Sequence, residues 1–194
     1  MTSPDDEPTH ATPLTAEEPE GLIPSHVTLR RELNELEQQN IIDADTWAFN
    51  RRHNPLSERF LRGLHRRMFG KVWRWAGHCR TSNKNIGVDR QQIPIGLHEA
   101  VSNVLYWIEH NTFPADEVAV RFHHALVFVH PFPNGNGRWS RLAADILTAR
   151  LGRRRFTWGR SSLRTVGETR RVYIEALKTA DNHDFTALIA FARS

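Results

Sequence analysis

Residues 130–141 read HPFPNGNGRWSR, and they follow directly on a long apolar segment. The residue before a proline is disfavoured in helical geometry, so a helix is predicted to end at His130. Pro133, Gly135 and Gly137 then predict a tight turn. Beyond this turn a helical period of apolar residues resumes, which places the turn at a helix N-terminus. Unpaired amides and the positive end of a helix dipole favour a phosphate ligand there.

The charges in this stretch point to the same kind of ligand. First turns of helices favour acidic residues, yet this one carries Arg138 and, on the same face, Arg141. Two arginines at the positive end of a dipole are unfavourable unless an anion lies between them, and a polyphosphate fits. His130 is the only residue of the stretch that titrates near neutral pH, so it is the predicted proton acceptor.

The stretch resembles the signature of the Fic/Doc family, H-x-F-x-D/E-G-N-G-R-x-x-R. Seven fixed positions match it: His130, Phe132, Gly135, Asn136, Gly137, Arg138 and Arg141. Less specific stretches at residues 21–26, 75–77 and 85–88 resemble the branch of the family called mobile mystery protein B. The resemblance implies an all-α, mainly helical fold, namely a Fic-type helical bundle with one short β-hairpin flap. A single Fic domain is expected over residues 23–194.

The resemblance also implies an activity, the transfer of AMP from ATP to a Ser, Thr or Tyr hydroxyl of a target protein. In such a protein adenylyltransferase, His130 would accept the proton of the hydroxyl. The amides of residues 135–137 would hold the α- and β-phosphates, and Arg138 and Arg141 would clamp the outer phosphates. Gly137 favours AMP transfer, because lysine at this position accompanies phosphate transfer in the family. Mg²⁺ or Mn²⁺ is the implied cofactor.

One position departs from the family pattern. Where the family carries an acid that ligates magnesium, this chain has Asn134. Mg²⁺ prefers carboxylates and phosphate oxygens, so the amide oxygen of Asn134 would be a weaker, neutral ligand. Two alternatives to the enzyme therefore stay open. The first is a Fic-fold binding module with impaired catalysis, and the weaker second is a nucleic-acid-binding protein that uses the arginines of residues 150–164.

The stretch from Thr81 to Pro94 is polar and the least helical part of the chain, so a short hairpin or extended loop is predicted. In the resembling family this region is a flap that aligns a target segment by adding main-chain hydrogen bonds. Asn85, Ile86 and Gly87 are the predicted docking residues, and an ordinary surface loop is the alternative.

A regulatory helical segment is predicted over residues 25–52, as an amphipathic helix from Val27 to Asn40 and a short helix over residues 45–52. Regulatory helices of the family often carry S/T-x-x-x-E-G/N. Residues 28–32 match its first part, which makes Glu32 the candidate inhibitory glutamate. Leu33 follows instead of Gly or Asn, so a surface charge is the alternative reading of Glu32.

Residues 1–22 are predicted to be a flexible acidic tail, since residues 1–20 hold six acids, four prolines and no Lys or Arg. The rest of the chain carries 26 basic and 16 acidic residues, a net charge of +10. Such a body could attract nucleotides, nucleic acid or an acidic partner. Nucleic acid is the least favoured of these, because no helix-turn-helix or base-stacking motif accompanies the arginines.

Cysteine usage and hydropathy predict a cytoplasmic protein that does not enter a membrane. Cys79 is the only cysteine, no apolar run approaches the length of a bilayer span, and no secretory signal is visible. His123 and His124 lack a second ligand at metal spacing, and His65 is interpreted as an ordinary polar residue on its helix. The resemblance to mobile mystery protein B implies a toxin-like protein with an antitoxin partner. The target protein, the modified residue, the nucleotide preference and the oligomeric state stay undetermined.

Overall fold

The computed structural model describes residues 21–24, 30–50, 53–162 and 165–194. Seven α-helices lie in these ranges: α1 Arg30–Asn50, α2 Glu58–Phe69, α3 Ile93–Glu109, α4 Ala115–Val129, α5 Asn136–Arg150, α6 Val166–Asp181 and α7 Thr186–Arg193. A short 3-10 helix, Arg90–Gln92, precedes α3. The predicted all-α class is therefore confirmed. Of the predicted tail, residues 1–20 lie outside the described residues, as do residues 25–29 and 51–52 of the predicted regulatory segment.

None of the helices in these ranges combines the length and the apolar character that a membrane span needs.

The boundaries around the motif follow the sequence signals. Ser57 caps α2, as a serine before a helical segment favours, and its Oγ accepts a hydrogen bond from the backbone N–H of Phe60 at 3.2 Å. Pro114 precedes α4, and acidic residues occupy the first turn of that helix. Helix α4 ends at Val129 and α5 begins at Asn136, so the predicted turn lies between two helices.

The N-terminal segment differs from its prediction, because α1 is one continuous helix rather than two. The stretch between Asn40 and Asp45 contains no glycine or proline, so nothing in it stops a helix. Ala44 within that stretch and Ala48 just after it are both buried. Near the end of α1, Trp47 stacks on Phe60 of α2 with ring centroids 5.9 Å apart. Burial against α2 thus extends the helix through the predicted break.

The core is centred on α4 and α5, where most side chains are inaccessible to solvent. Trp139 of α5 is fully buried, and its Nε1–H donates to the carbonyl of Leu61 in α2 at 2.9 Å. The ring of Phe132 meets Trp139 edge to face at 4.8 Å. Burying a large apolar side chain contributes about 1.5–3 kcal/mol, so these rings fix the turn before α5 to the core.

The predicted β-hairpin flap does not form. The flap segment, which we define as residues 81–89, contains bends and no strand. Within the described parts of the chain the β pairing is one isolated antiparallel bridge, between Leu22 and Trp73. The hairpin prediction was therefore wrong, although the predicted extended loop is present.

Side chains take the backbone groups that a hairpin ladder would use. The guanidinium of Arg80 donates to the carbonyls of Ser82 and Val88, near the two ends of the flap segment. Asn83 accepts from the backbone N–H of Arg90 at 2.8 Å, and its amide donates to Asp89 at 2.8 Å. Since these groups already have partners, strand pairing would gain little.

Two histidines lie in the interior with no solvent exposure, His65 on α2 and His123 on α4. Burial lowers the pKa of each imidazole from its ordinary value of 6.5 to about 3. Burial acts in the opposite sense on Asp145 of α5, whose pKa it raises from 3.8 to about 6. The interior therefore holds neutral imidazoles at physiological pH.

These shifts predict that stability falls as the pH is lowered from 7 to 5. Below pH 6.5 the unfolded chain binds protons at both histidines while the folded chain does not bind them until about pH 3. Each site therefore lowers the free energy of unfolding by up to about 1.4 kcal/mol per pH unit. Asp145 opposes this, because its folded form binds a proton below about pH 6, but two histidines outweigh one carboxyl.

The measurement is urea unfolding at pH 7 and pH 5. The free energy of unfolding is expected to be lower at pH 5, and His123→Gln is expected to reduce that difference by removing one of the buried imidazoles. His98→Gln, the same change at an exposed histidine, controls for loss of an imidazole and should leave the difference as in the wild type. Equal wild-type stability at the two pH values would contradict the prediction.

Candidate active site

His130 ends α4 in a left-handed backbone conformation, with φ 50° and ψ 57°. This region is uncommon for a residue with a side chain, and here it turns the chain out of the helix. The His130 N–H still donates to the Leu126 carbonyl at 3.2 Å. The side chain is buried, with 6% of its surface exposed. The predicted helix end at His130 is therefore present, and the residue is held at both its backbone and its ring.

Burial also sets the protonation state of His130. Burial is the largest cause that lowers the pKa of the imidazole to about 4; the positive charges of Arg80 and Lys84 act in the same direction, and a backbone hydrogen bond at Val127 acts against them. The ring is therefore neutral at pH 7. A neutral imidazole can accept a proton, which is the role that the sequence predicted.

The turn between α4 and α5 is closed by the side chain of Asn136. Its Oδ1 accepts from the Phe132 N–H at 2.9 Å, and its Nδ2 donates to the Phe132 carbonyl at 2.8 Å. Gly135 is left-handed, with φ 79°, and a Cβ there would lie 2.6 Å from the ring of Phe69. Only glycine fits this position. Asn136 thus has a structural role through its side chain, in addition to the predicted role of its amide.

The backbone N–H groups of the turn fall into two sets, one that donates within the turn and one at the first turn of α5. The N–H of Gly135 donates to Asn134 Oδ1 at 2.6 Å, so the amide that was predicted to bind phosphate already has a partner. The N–H groups of Asn136, Gly137 and Arg138 lie in the first turn of α5, where helix geometry provides no intrahelical acceptor. These three amides are therefore not used by the hydrogen bonds of α5, and the phosphate-binding role expected of the turn stays a prediction.

Asn134 is held by two neighbours. Besides its contact with the Gly135 N–H, its carbonyl accepts from Nε2 of His65 at 3.0 Å. Nδ1 of His65 accepts from the Gly77 N–H at 3.0 Å, which leaves the ring proton on Nε2. The His65 ring also stacks on Phe132 at 3.7 Å. His65, interpreted from the sequence as an ordinary polar residue, therefore supports the turn, and no local sequence signal indicated this.

The residues of the turn do not fit a divalent cation held by the protein. The one candidate ligand, Asn134, offers a neutral amide oxygen that already accepts the Gly135 N–H. In the described residues no three His, Cys, Asp or Glu side chains gather as a metal site. Mg²⁺ is bound in proteins chiefly by carboxylates together with substrate phosphates. No catalytic step is therefore assigned to a metal ligated by this chain.

The two motif arginines reach in different directions. The guanidinium of Arg138 donates to Glu37 Oε2 at 2.7 Å and lies 4.8 Å from the ring centroid of Phe69. Arg141 donates through Nε to the Gly137 carbonyl at 3.1 Å and lies over the ring of Tyr173 at 5.6 Å. Arg138 is thus paired with a carboxylate of α1, whereas these contacts of Arg141 are with neutral groups.

Glu37 is a functional-site residue that the sequence analysis missed. Its side chain is buried, and Oε1 accepts from Trp73 Nε1 at 2.6 Å while Oε2 accepts from Arg138. The sequence did contain a signal for this residue, because the carboxylate of Glu37 falls on the helical face that runs from Leu33 to Ala44 and packs on the core. Glu32, the predicted inhibitory residue, lies half-buried in the first turn of α1, and its inhibitory role stays a prediction.

Of the three predicted docking residues, Gly87 lies against His130. Asn85 and Ile86 are exposed on the flap segment, with 44% of the Ile86 surface accessible. Gly87 has φ 91°, and a Cβ at this position would approach the His130 Cβ to 2.5 Å. The flap segment is therefore in direct contact with the predicted proton acceptor, and docking on it stays a prediction.

The pairing of Glu37 with Arg138 is expected to link α1 to the motif helix energetically. A double-mutant cycle with Glu37→Gln and Arg138→Met should give a coupling energy of about 1–2 kcal/mol in urea unfolding, since the two charges are in contact and one of them is buried. Glu32→Gln, the same change in the first turn of α1, should couple to Arg138→Met by no more than about 0.5 kcal/mol. Additive effects of the Glu37 and Arg138 changes would refute the link.

Comparison with known proteins places this geometry in context. The family model for the Fic/DOC family matches residues 55–148, which run from the turn before α2 to near the end of α5. Two proteins named Protein adenylyltransferase fic-1, from Caenorhabditis elegans and Caenorhabditis briggsae, are each 30% identical over 107 residues. The match covers 53% of this chain and 21% of each relative, so this chain spans only a part of them.

Solved structures share the fold. The N-terminal Fic domain of a Bartonella effector protein from Bartonella sp. AR 15-3 superimposes with a TM-score of 0.69 at 15% identity, covering 92% of this chain and 91% of that one. BepC from Bartonella tribocorum, solved with bound AMPPNP, gives 0.65 at 20% identity, covering 92% and 97%. Fic-1 from Caenorhabditis elegans gives 0.65 at 21%, covering 89% and 50%. With the motif of residues 130–141 on the turn between α4 and α5, residues 55–148 of this chain are a domain of the Fic/DOC family.

Proposed function

We propose that this chain is a protein adenylyltransferase, which transfers AMP from ATP to a Ser, Thr or Tyr hydroxyl of a target protein. The observation that carries the proposal is the placement of a neutral, buried His130 one short turn before the open amides of α5. The two hydrogen bonds between Asn136 and Phe132 keep this turn closed. Relatives that are named protein adenylyltransferases support the choice of reaction.

The proposed reaction is a single displacement at the α-phosphorus. The oxygen of the target hydroxyl attacks the α-phosphorus and His130 takes the hydroxyl proton, while the bond from the α-phosphorus to the bridging oxygen breaks and pyrophosphate leaves. Bound polyphosphate would raise the pKa of His130 from about 4 towards neutrality, because a nearby anion stabilises the imidazolium. That shift would strengthen the ring as a base where it is needed.

The neighbours of the two arginines suggest different roles for them in phosphate binding. Arg141 contacts a carbonyl and an aromatic ring, so its charge is available to the phosphates. The charge of Arg138 is shared with Glu37, which makes Arg138 the weaker phosphate ligand. The amides of Asn136 and Gly137 would hold the phosphate oxygens at the positive end of α5.

The remaining parts of the proposal rest on the resemblance and on composition. Any Mg²⁺ or Mn²⁺ would arrive with ATP and be held by its phosphates, since Asn134 is a poor ligand. The reaction is assigned to the cytoplasm, which suits a chain whose one cysteine, Cys79, is free. A toxin-like role with an antitoxin partner belongs to the same proposal, and so does docking of the target on the flap segment.

The direct test is label transfer from ATP in the presence of Mg²⁺ or Mn²⁺. When the chain is added to a cell lysate whose own kinases have been inactivated, label in the α-phosphate should enter proteins, and label in the γ-phosphate should not. His130→Ala should lower this transfer by about 10²–10⁴-fold, because it removes the proton acceptor. Its affinity for α,β-methylene-ATP, measured by calorimetry, should stay within about threefold of the wild type, since His130 holds no phosphate. Transfer of the γ-label would overturn the proposal.

Position 134 provides a second test, which also separates the enzyme from an inactive binding module. Asn134→Asp should tighten the apparent affinity for Mn²⁺ in the transfer reaction by about tenfold or more, because a carboxylate replaces a neutral amide. Asn103→Asp makes the same change at an exposed position of α3 and should have no effect on metal dependence. Nucleotide binding without transfer in both the wild type and Asn134→Asp would favour the binding module.

A further inference from the structure

Arg80, which the sequence analysis did not single out, lies immediately before the flap segment and is buried, with 4% of its surface exposed. Its guanidinium donates to three backbone carbonyls. Nε donates to His130 at 2.8 Å, Nη1 donates to Ser82 at 2.9 Å, and Nη2 donates to Val88. In addition, the backbone N–H of Arg80 donates to the Pro131 carbonyl at 2.8 Å.

These partners belong to two different parts of the molecule. Ser82 and Val88 lie near the two ends of the flap segment, whereas His130 and Pro131 lie where α4 gives way to the motif turn. One side chain therefore holds both ends of the flap segment and the backbone of the predicted proton acceptor. The flap segment cannot move relative to His130 without breaking at least one of these hydrogen bonds.

Direct packing of Gly87 also holds the flap segment in place against His130. A Cβ on Gly87 would come within 2.5 Å of the His130 Cβ, 3.1 Å of an Arg80 nitrogen and 3.2 Å of the Val129 carbonyl. Gly87 thus lets the flap backbone lie against the His130 side chain, with the guanidinium beside it. The exposed Asn85 and Ile86 precede this contact in the chain, so a segment that pairs with them would run close to the imidazole.

The three carbonyls around position 80 require arginine rather than lysine. The planar guanidinium has donors in a fixed fork, and here it serves three carbonyls at once, whereas lysine offers one compact ammonium group. Burial of Arg80 lowers its pKa, which is the cost of removing this charge from water, and Asp89 offsets part of that effect. Burying a cation against backbone carbonyls costs free energy. That cost is offset where the three hydrogen bonds are needed to hold the loop in one position.

We propose that Arg80 is a positioning residue, which fixes the distance between the flap segment and His130 so that a docked target hydroxyl meets the imidazole. The inference deepens the proposed function and rests on it. The guanidinium of Arg80 is directed at three backbone carbonyls, so its effect passes through His130 and the flap backbone.

The test compares Arg80→Lys with Arg90→Lys in the full chain. Arg90 has an exposed side chain on the 3-10 helix that follows the flap segment, so it is a matched control. Hydrogen exchange of the amides of residues 81–89 is expected to rise in Arg80→Lys and not in Arg90→Lys, with exchange in α5 unchanged in both. AMP transfer to lysate proteins should fall by about 10²-fold in Arg80→Lys, the loss typical of a misplaced reacting group.

If Arg80 had a purely structural role, its substitution would change nucleotide binding as well as transfer. It would weaken binding of α,β-methylene-ATP together with transfer, whereas positioning leaves the Kd for this analogue within about threefold of the wild type. Unchanged flap exchange, or full transfer despite faster flap exchange, would overturn the proposal. If Arg80→Lys does not fold, Gly87→Ala displaces the flap segment from His130 with Arg80 intact and should give the same loss of transfer at constant Kd.

The outcomes for the two proposals are distinguishable. If the wild type transfers no label, the proposed function fails, and the exchange data alone then show whether Arg80 holds the flap segment.

Discussion

Two hydrogen bonds between the Asn136 side chain and the backbone of Phe132 hold the turn on which the site depends. They join the end of α4 to the beginning of α5 across a stretch that has no regular structure of its own. Because Asn136 is buried, both bonds are protected from competing water. The Phe132 ring then packs between His65 and Trp139, so the closed turn is also fixed to the core.

Burial and the positive end of a helix give the turn its electrostatic character. The rings of His65 and His130 are neutral, and α5 presents its positive end beside them. Glu37 of α1 pairs with Arg138 and brings a negative charge to the motif. Such a site suits an anionic ligand that carries a bound cation with it. Asn134 stands where the family pattern has an acid, so the site has one negative charge fewer with which to hold a cation itself.

Two predictions failed for the same reason. The polar, non-helical character of the stretch predicted a short hairpin or an extended loop, and the hairpin is absent because the carbonyls of Ser82 and Val88 bond to Arg80 instead of to a partner strand. The N-terminal segment was divided into two helices, but packing of Trp47 and its neighbours on α2 continues one helix through the boundary. In both places, tertiary contacts outweighed a weak local preference.

The sequence alone determined where α4 ends and where the motif turn lies, because prolines restrict and glycines widen the backbone dihedral angles that a few neighbouring residues can adopt. The resemblance to the family depended on the same short stretch. Only the tertiary structure decided which distant groups support that turn: Glu37 meets Arg138 across 101 residues, His65 meets Asn134 across 69, and Arg80 meets His130 across 50. No local pattern encodes such partners, since they are brought together only when the helices pack.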